Sequence, residues 1–268
     1  MRLVITPATD GPMNMAIDQA IMEAVAQERV PRTLRFFAWE PACLSLGYMQ
    51  PLSDSDQDRL AARGWDIVRR MTGGRAILHV DELTYSVACK AGDPLVAGSI
   101  VESYRRLSGA LLHGLNILGA DADANKRAKQ SGGTIGPVCF EVPSRYEITF
   151  SGKKLIGSAQ VRKMGAVLQH GTLPLTGDIT RICDGLVFPD DQEREIARQR
   201  VASRATTLEE VLHRIISWED AIQAMRRGFE ETFDLTFEIA DSLTPEELQR
   251  AEELRALRYA HDEWTGRF

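Results

Sequence analysis

Three strand-length segments separated by two short turns stand in the middle of this chain. The segments rich in strand-forming residues are Arg145–Phe150, Lys154–Arg162 and Ala166–Leu175. The turns between them are Ser151-Gly152 and Met164-Gly165, and glycine adopts the positive φ angles that tight hairpins require. Connections this short join antiparallel strands, because a parallel connection needs a dozen or more residues. The pattern therefore predicts an antiparallel three-stranded meander.

Helical patterns stand on both sides of the meander. Apolar residues recur at helical spacing from about Asn14 to Glu28 and again from Val101 to Leu118, with Gly119 placed to end the second helix. Strands and helices do not alternate regularly along the chain, which argues against a doubly wound parallel sheet. The prediction is an α+β fold with a mixed or antiparallel central sheet flanked by helices.

Length and composition describe an ordinary globular chain. Its 268 residues are 44% hydrophobic and 26% charged, with no clear linker or internal repeat. We therefore predict a single unit over residues 1–268, with a core at roughly 30–180 and a mostly helical C-terminal part, 181–268, packed on it. The net charge of −6 argues against nonspecific binding to nucleic acid or to an anionic membrane, so neither is predicted as a partner.

The cysteines bear on cellular compartment and on chemistry. Cys43, Cys89, Cys139 and Cys183 lie far apart and form no close pair, so no zinc or other metal site is predicted. Residues 1–12 contain no apolar run of signal-peptide length, and a cytoplasmic protein with free thiols is expected. Cys139 alone stands in an irregular segment before a strand, where nucleophiles are often placed, although an inert thiol remains the alternative.

A cluster of arginines and glycines follows a predicted strand. Its sequence is RRMTGGR, from Arg69 to Arg75, and it continues into a strand that contains His79. Glycine lets backbone N–H groups approach a ligand, and arginine binds phosphate or carboxylate in a bidentate manner. The cluster predicts an anion pocket, with a tight hairpin turn carrying solvated arginines as the alternative.

The second strand of the meander carries another candidate site. If Lys153 points outward, alternation turns Lys154 to the opposite face together with Ile156 and Ser158. Gly157-Ser158-Ala159 is a run of small residues, as expected where a ligand approaches a strand closely. An inward lysine beside such a run indicates an anionic ligand. His79 and His170 remain either structural or catalytic, and a Cys139/His170 hydrolase would lack the local signatures of known families.

Taken in order, these segments resemble the biotin/lipoate protein ligase superfamily, which includes octanoyltransferases. The matching pieces are RFFAWEPACLSLGYMQ (Arg35–Gln50), RRMTGGRAILHVDELTYSV (Arg69–Val87), SGKKLIGSAQVRKMGAVLQHGTL (Ser151–Leu173) and RYAHDEW (Arg258–Trp264). The resemblance implies the catalytic fold of that superfamily with a helical C-terminal extension. The segment VCFEVPSRYEI, which contains Cys139, is similar to that of the octanoyltransferases, whereas lipoate ligases need no cysteine there.

The resemblance also implies roles for particular residues. Cys139 becomes the nucleophile that accepts the acyl group, and Lys154 matches the catalytic lysine of the superfamily. The residues that the resemblance implies for binding the carboxyl end of the acyl group are Arg70, Gly73, Gly74 and His79. Arg69 and Arg75 are implied as supporting charges. The acyl pocket is implied to include Gly157, Ser158 and His170. The strands around 44–47 and 156–159 are the predicted slot for the acyl chain.

The implied reaction transfers an octanoyl group from octanoyl-acyl carrier protein to a lysine of a lipoyl-accepting domain, such as glycine cleavage H protein or a dehydrogenase E2. No cofactor is required; ATP and magnesium would be needed only by an ATP-dependent lipoate–protein ligase on the same fold, which is the first alternative. The second alternative is a noncatalytic protein that binds lipoyl domains. The basic stretch Lys126-Arg127-Ala128-Lys129 is the predicted docking patch for the acidic carrier protein.

Overall fold

The computed structural model describes residues 1–125 and 147–268. The strands of the described part are β1 (Arg2–Ile5), β2 (Thr33–Phe37), β3 (Cys43–Leu46), β4 (Asp66–Arg69), β5 (Ile77–His79), β6 (Glu82–Lys90), β7 (Asp123–Asn125), β8 (Glu147–Phe150), β9 (Lys153–Lys163), β10 (Ala166–Pro174) and β11 (Glu238–Ala240). The helices are α1 (Gly11–Ala26), α2 (Gln57–Ala62), α3 (Ile100–Leu118), α4 (Asp191–Arg204), α5 (Leu208–Leu212), α6 (Trp218–Phe233), α7 (Pro245–Leu254) and α8 (Asp262–Thr265).

Within the described residues, eight strands form one mixed sheet in the order β11-β1-β2-β6-β10-β9-β8-β7. From β2 to β7 the neighbouring strands are antiparallel, and the predicted meander of β8, β9 and β10 lies in this part. At the other end, β1 pairs in parallel with both β2 and β11. The predicted fold class, a mixed sheet flanked by helices, is confirmed.

Helices cover both faces of the large sheet because successive strand residues point to opposite sides. On one face, α3 and α6 pack through Leu107, Leu111 and Phe229 against Tyr85 and neighbouring strand residues. On the other face, apolar residues of α1 and α7 pack against β2, β6 and β10. We call these the α3 face and the α1 face. The cores on the two faces leave the sheet buried along most of its length.

A second, smaller sheet carries the arginine-rich segment. Within it β3 lies in the centre, parallel to β4 and antiparallel to β5. The strands before and after the RRMTGGR segment therefore do not pair with each other, and the alternative of a tight hairpin turn is wrong. Backbone bonds from Arg70 N to Leu46 O (2.9 Å) and from Tyr48 N to Thr72 O (2.8 Å) instead fix the segment across the end of β3.

The helix boundaries follow local signals. The first helix begins at Gly11, three residues before the predicted start, because the Asp10 side chain caps it by accepting a hydrogen bond from Met13 N. The second long helix ends at Gly119, as predicted, and the φ of 92° makes this glycine a left-handed cap. At the start of α7, Thr244 and Glu247 form a full capping box, as their spacing indicates.

Elements from both ends of the chain take part in the main sheet and its cores. The strand β1 joins β2 to β11, and α1 packs against α7. Of these elements, β1, β11, α1 and α7 lie outside the segment 30–180 in which the sequence placed the core. That the whole chain forms a single unit stays a prediction. Cys43, Cys89 and Cys183 are buried in apolar cores, as predicted. Over the described residues, no helix is both long and apolar enough to span a bilayer.

Arg69 links the small sheet to residues near the end of the chain. Its guanidinium is fully buried and donates to backbone carbonyls, with Nη1 2.9 Å from Gly47 O and 2.5 Å from Gln50 O. Nε lies 3.1 Å from Trp264 O, and Nη2 lies 2.5 Å from Thr265 O. Arg69 is therefore a structural tie and not a supporting charge for a ligand, because its donors are turned away from the neighbouring Arg70.

Replacing this tie should destabilise the protein strongly. We expect Arg69→Ala to lower the free energy of unfolding by about 3 kcal/mol, because several buried carbonyls lose a charged donor. For a chain of this size the melting temperature should fall by about 8 °C. The control is Arg227→Ala, which removes an exposed ion pair with Glu231 and should leave the melting temperature almost unchanged. Equal melting temperatures for the two variants, measured by calorimetry, would contradict the assignment.

Candidate active site

A narrow cleft lies on the α1 face of the large sheet, beside the RRMTGGR segment. Its volume is about 40 Å³. The side chains and backbone that line it come from α1, the two sheets and the loops between them: Met15, Trp39, Arg70, Gly73, Gly74, Ile77, His79, Thr84, Gly157, Ser158, Ala159, His170, Gly171 and Thr172. The cleft thus brings together seven of the residues that the sequence placed in the site.

Arg70 forms a rigid charged wall of this cleft. Its Nη1 donates to Ser45 O (2.7 Å) and Ser45 Oγ (2.5 Å), and Nη2 donates to Arg75 O (2.9 Å). The loop can curve around the guanidinium for two reasons. Gly74 adopts a φ of +100°, and the backbone of Gly74 packs directly against Gly47, which has no side chain. A Cβ added to Gly47 would lie 1.9 Å from Gly74 O, so no larger residue fits there. The arginine is held in place before any ligand binds.

Of the three arginines in the segment, the structure places only Arg70 in the cleft wall. Arg69 is buried against backbone carbonyls on the other side, as described above. Arg75 is half-buried and contributes its carbonyl oxygen to Arg70, while its side chain does not line the cleft. The expectation that all three arginines surround an anion is therefore wrong, because alternation along β4 and the crossing over β3 turn them in different directions.

His79 is fixed through both ring nitrogens and through one ring face. Nδ1 lies 2.7 Å from Glu82 Oε1, and Nε2 lies 2.6 Å from Ser45 Oγ. The ring stacks on Trp39 with 4.0 Å between centroids and 11° between planes. Since Ser45 also accepts from Arg70, the imidazole and the guanidinium share one hydroxyl and form a continuous wall.

His170 occupies the α1 face of β10 and belongs to a buried polar network. Nδ1 lies 3.1 Å from Asp18 Oδ2, and Nε2 lies 2.7 Å from Thr72 Oγ1. Burial lowers the pKa of His170 from its ordinary value of 6.5, although Asp18 acts in the opposite direction. The ring is therefore neutral near pH 7, with Nδ1–H donating to the carboxylate and Nε2 accepting from Thr72. His170 thereby holds Thr72, the residue before Gly73, in place.

The partner of His170 is itself part of a buried charge pair. Asp18 Oδ1 accepts from Arg35 Nη1 and from Ser86 Oγ, each at 2.8 Å. Burial raises the pKa of the Asp18 carboxyl, but hydrogen bonding by His170 and the charge of Arg35 outweigh it and hold that pKa below its usual range. From the sequence, only the apolar residues of this part of α1 were predicted to face the core. A polar residue at helical spacing among apolar ones was the signal that could have revealed Asp18.

Lys154 lies at the edge of the cleft, in an ion pair that the sequence did not reveal. Its Nζ donates to Glu147 Oε1 at 2.6 Å, and both side chains are largely buried. A Cβ added to Gly157, which lines the cleft, would lie 3.0 Å from Lys154 Cε and 3.5 Å from Nζ. The absence of a side chain at Gly157 therefore leaves room for the lysine and for a ligand beside it.

The strict alternation expected for β9 is wrong in one respect. Lys154 and Ser158 were placed on the same face, yet Ser158 Oγ lies 2.7 Å from Tyr85 OH on the α3 face, while the lysine reaches the α1 face at Gly157. The register between β8 and β9 shifts at Ile148 and Thr149, which interrupts the two-residue period beside Lys154. Ser158 thus lines the cleft without its hydroxyl facing Lys154.

The apolar part of the cleft wall comes from Met15, Trp39 and Ile77, which the sequence did not single out. The predicted acyl slot included strand residues 156–159, of which 157–159 line the cleft. It also included residues 44–47, but Leu44 and Leu46 pack in the core beneath the small sheet. This half of the prediction is wrong, because none of residues 44–47 lines the cleft.

Two predicted features fall outside the described residues. Cys139, the candidate nucleophile, and the basic stretch 126–129 both lie between residues 125 and 147. In the part of the chain that the structure does describe, no group of three or more His, Cys, Asp or Glu side chains is arranged to hold a metal ion.

Comparison with known proteins identifies the family. Residues 10–230 match the family model of the lipoyl protein ligase A/B catalytic domain. The protein named octanoyltransferase LipM of Brevibacillus brevis is 39% identical over 272 residues, covering 99% of this chain and 98% of that protein. The octanoyltransferase LipM of Moorella thermoacetica is 42% identical over 270 residues, covering 99% and 97%.

Solved structures show the same fold. A bipartite lipoate protein ligase from Thermoplasma acidophilum superposes with a TM-score of 0.81 and 25% identity, over 100% of this chain and 96% of that one. A lipoate-protein ligase A bound with ATP gives a TM-score of 0.78 and 25% identity, over 100% and 99%. The chain belongs to the lipoyl protein ligase A/B catalytic domain family. The predictions of an acyltransferase, and of an octanoyltransferase acting in protein lipoylation, are confirmed by its full-length relatives, and the ligase alternative is not favoured.

The buried imidazole should make stability depend on pH. Because burial lowers the pKa of His170, the unfolded chain binds a proton below pH 6.5 that the folded chain does not. The free energy of unfolding should therefore fall between pH 7 and pH 5, and His170→Gln should show a smaller loss of melting temperature over that range. The Asp18 carboxyl, with its lowered pKa, changes charge only at lower pH.

The control for this experiment is His213→Asn, since His213 is exposed and its φ of 54° suits asparagine. This variant should retain the pH dependence of the unsubstituted protein. Parallel pH curves for His170→Gln and the unsubstituted protein, measured by differential scanning fluorimetry, would show that His170 does not cause the loss.

Proposed function

We propose that this protein transfers an octanoyl group from octanoyl-acyl carrier protein to a specific lysine of a lipoyl-accepting domain, such as glycine cleavage H protein or a dehydrogenase E2. The observation that carries the proposal is the cleft, where apolar walls meet a fixed arginine and a buried lysine. This combination suits a medium-length acyl chain with a polar carbonyl end. The octanoyltransferase names of the full-length relatives support the same substrate class.

The alkyl chain would lie against Met15, Trp39 and Ile77, where burial of each methylene contributes about 0.8 kcal/mol. Its carbonyl end would lie over Gly157, because the absence of a side chain there lets the substrate approach the sheet backbone. Arg70 is already bonded to backbone oxygens and stays fixed while the substrate enters. Preorganisation of this kind lowers the entropic cost of binding.

In the first step, the thiolate of Cys139 adds to the thioester carbonyl carbon, and the C=O electron pair moves to oxygen. Collapse of this intermediate re-forms the carbonyl and expels the thiolate of the carrier protein, leaving an octanoyl thioester on Cys139. The ammonium of Lys154 would donate a hydrogen bond to the developing oxyanion, a contribution that is larger in a buried site. The role of Cys139 rests on resemblance within the family.

In the second step, the neutral amine of the acceptor lysine attacks the Cys139 thioester, and the cysteine thiolate leaves as the amide forms. A base accepts the proton that the amine loses. Conversion of a thioester to an amide is favourable, so the reaction requires neither ATP nor magnesium. Docking of the acidic carrier protein is proposed at the basic stretch 126–129, where opposite charges would raise the association rate.

Intact mass spectrometry tests the proposal. The protein and its Cys139→Ala variant are each incubated with octanoyl-acyl carrier protein, and a purified lipoyl domain is then added without ATP. We expect an octanoyl adduct on the unsubstituted protein, its transfer to the lipoyl domain, and neither event with the variant. Modification that needs ATP and free lipoate and survives Cys139→Ala would instead establish a ligase. Absence of both reactions would indicate a noncatalytic binding protein.

Two adjacent lysines provide a matched test of the charge at the cleft. We expect Lys154→Met to lower the rate of acyl transfer at least about 100-fold, because the oxyanion loses a charged donor. Lys153→Met serves as the control, since Lys153 is half-exposed, and it should keep the rate within about twofold. Both rates are measured by single-turnover transfer after confirming that each variant is folded. Similar rates for the two variants would remove Lys154 from the mechanism.

A further inference from the structure

Thr172 contributes a buried hydroxyl to the cleft that the mechanism has not used. The residue is 1% exposed and lines the cleft from β10. Among the described residues, its Oγ1 has no hydrogen-bond partner. A buried hydroxyl in this state is unfavourable, because it has lost its bonds to water without gaining replacements. A partner supplied by a ligand would remove that penalty.

The neighbouring polar groups do not provide this partner. Thr84, directly opposite Thr172 on β6, accepts from Trp39 Nε1 at 2.8 Å and donates to Glu82 Oε1 at 2.5 Å. His170, two residues earlier on the same face of β10, is engaged by Thr72 and by α1. The hydroxyl of Thr172 is therefore available in the wall, since the polar side chains nearest to it, Thr84 and His170, bond to other groups.

The position of Thr172 relative to Lys154 shows what such a ligand would be. Thr172 pairs directly with Gly157 across β9 and β10. A Cβ on Gly157 would lie 3.0 Å from Lys154 Cε, so the lysine lies beside the same glycine. Gly157 therefore opens a space that the ammonium and the hydroxyl both border. An oxygen atom placed there would meet two donors, one charged and one neutral.

We propose that the Thr172 hydroxyl donates a hydrogen bond to the carbonyl oxygen of the bound acyl group, as a second donor beside Lys154. This inference rests on the proposed acyl transfer and adds a catalytic residue to it. The hydroxyl keeps its proton throughout: it binds the carbonyl oxygen of the substrate and binds it more strongly as negative charge develops there. A donor aimed at the developing charge accelerates the chemical step more than it strengthens substrate binding.

The test compares three substitutions of Thr172 in the full-length protein. Thr172→Val and Thr172→Ala remove the hydroxyl, whereas Thr172→Ser retains it. We expect the two hydroxyl-free variants to lower the first-order rate of acylation by octanoyl-acyl carrier protein about 100-fold with little change in KM, and Thr172→Ser to stay within about threefold. Because an unsatisfied hydroxyl is removed, the melting temperature of Thr172→Val should equal that of the unsubstituted protein or exceed it by about 2 °C.

Thr33→Val is the matched control. Thr33 is a buried threonine of the same sheet whose hydroxyl accepts from Arg2 Nε at 3.0 Å and donates to Pro31 O at 2.9 Å. This substitution should show the reverse pattern, with a melting temperature lowered by about 3 °C and an unchanged acylation rate per folded molecule. A purely structural Thr172 would give the same pattern as Thr33.

Binding of free octanoate, measured by calorimetry, gives a readout that does not depend on turnover. Its carboxylate oxygen should occupy the position of the acyl carbonyl, and Thr172→Val should weaken binding about tenfold. Acylation at the unsubstituted rate by both hydroxyl-free variants would overturn the inference, as would a Thr172→Ser variant as slow as Thr172→Val. If the unsubstituted protein forms no acyl adduct, the proposed transfer fails, and equal octanoate affinities would then overturn the role of Thr172 separately.

Discussion

The arrangement of the cleft depends on one buried charge pair, between Asp18 of α1 and Arg35 of β2. Both side chains are almost completely buried, and their charged atoms are 2.8 Å apart. Desolvation of two ions is costly, and further hydrogen bonds offset it: Ser86 of β6 and His170 of β10 both bond to the carboxylate. The pair therefore fixes α1 to three strands at once. Through His170 it also reaches Thr72, so the position of the glycine-rich loop depends on the same charges.

The site is built so that its charges are satisfied in the absence of substrate. Arg70 is bound by backbone and hydroxyl oxygens, His79 by Glu82 and Ser45, and Lys154 by Glu147. None of these side chains needs a substrate in order to stay ordered, and this is the arrangement that electrostatic catalysis requires. The same arrangement favours an acyl group as the ligand, because an alkyl chain fits walls that are mainly apolar.

Local signals in the sequence predicted local structure well. The glycine turns of the meander and the helix end at Gly119 depend on φ angles and hydrogen bonds within a few residues, so each is visible in the sequence itself. Contacts between distant segments were not visible. The parallel pairing of β1 with β11 joins residues more than 230 positions apart. The ion pair of Glu147 with Lys154 could not be predicted either, because it depends on the irregular register between β8 and β9. Family resemblance identified the cleft residues, but their partners became apparent only from the packing of the sheets.

The tie at Arg69 also sets an order of events during synthesis. The arginine leaves the ribosome nearly 200 residues before Trp264 and Thr265, whose carbonyls it needs. Until they emerge, the guanidinium of Arg69, which is fully buried in the finished fold, must remain hydrated. The face of α1 that packs against α7 likewise stays exposed until α7 has been synthesised. The nascent chain can form its meander early, because those contacts are local, but the cleft cannot close around its loop until these late residues arrive. An incomplete chain would therefore carry every cleft residue described here and still lack an assembled site.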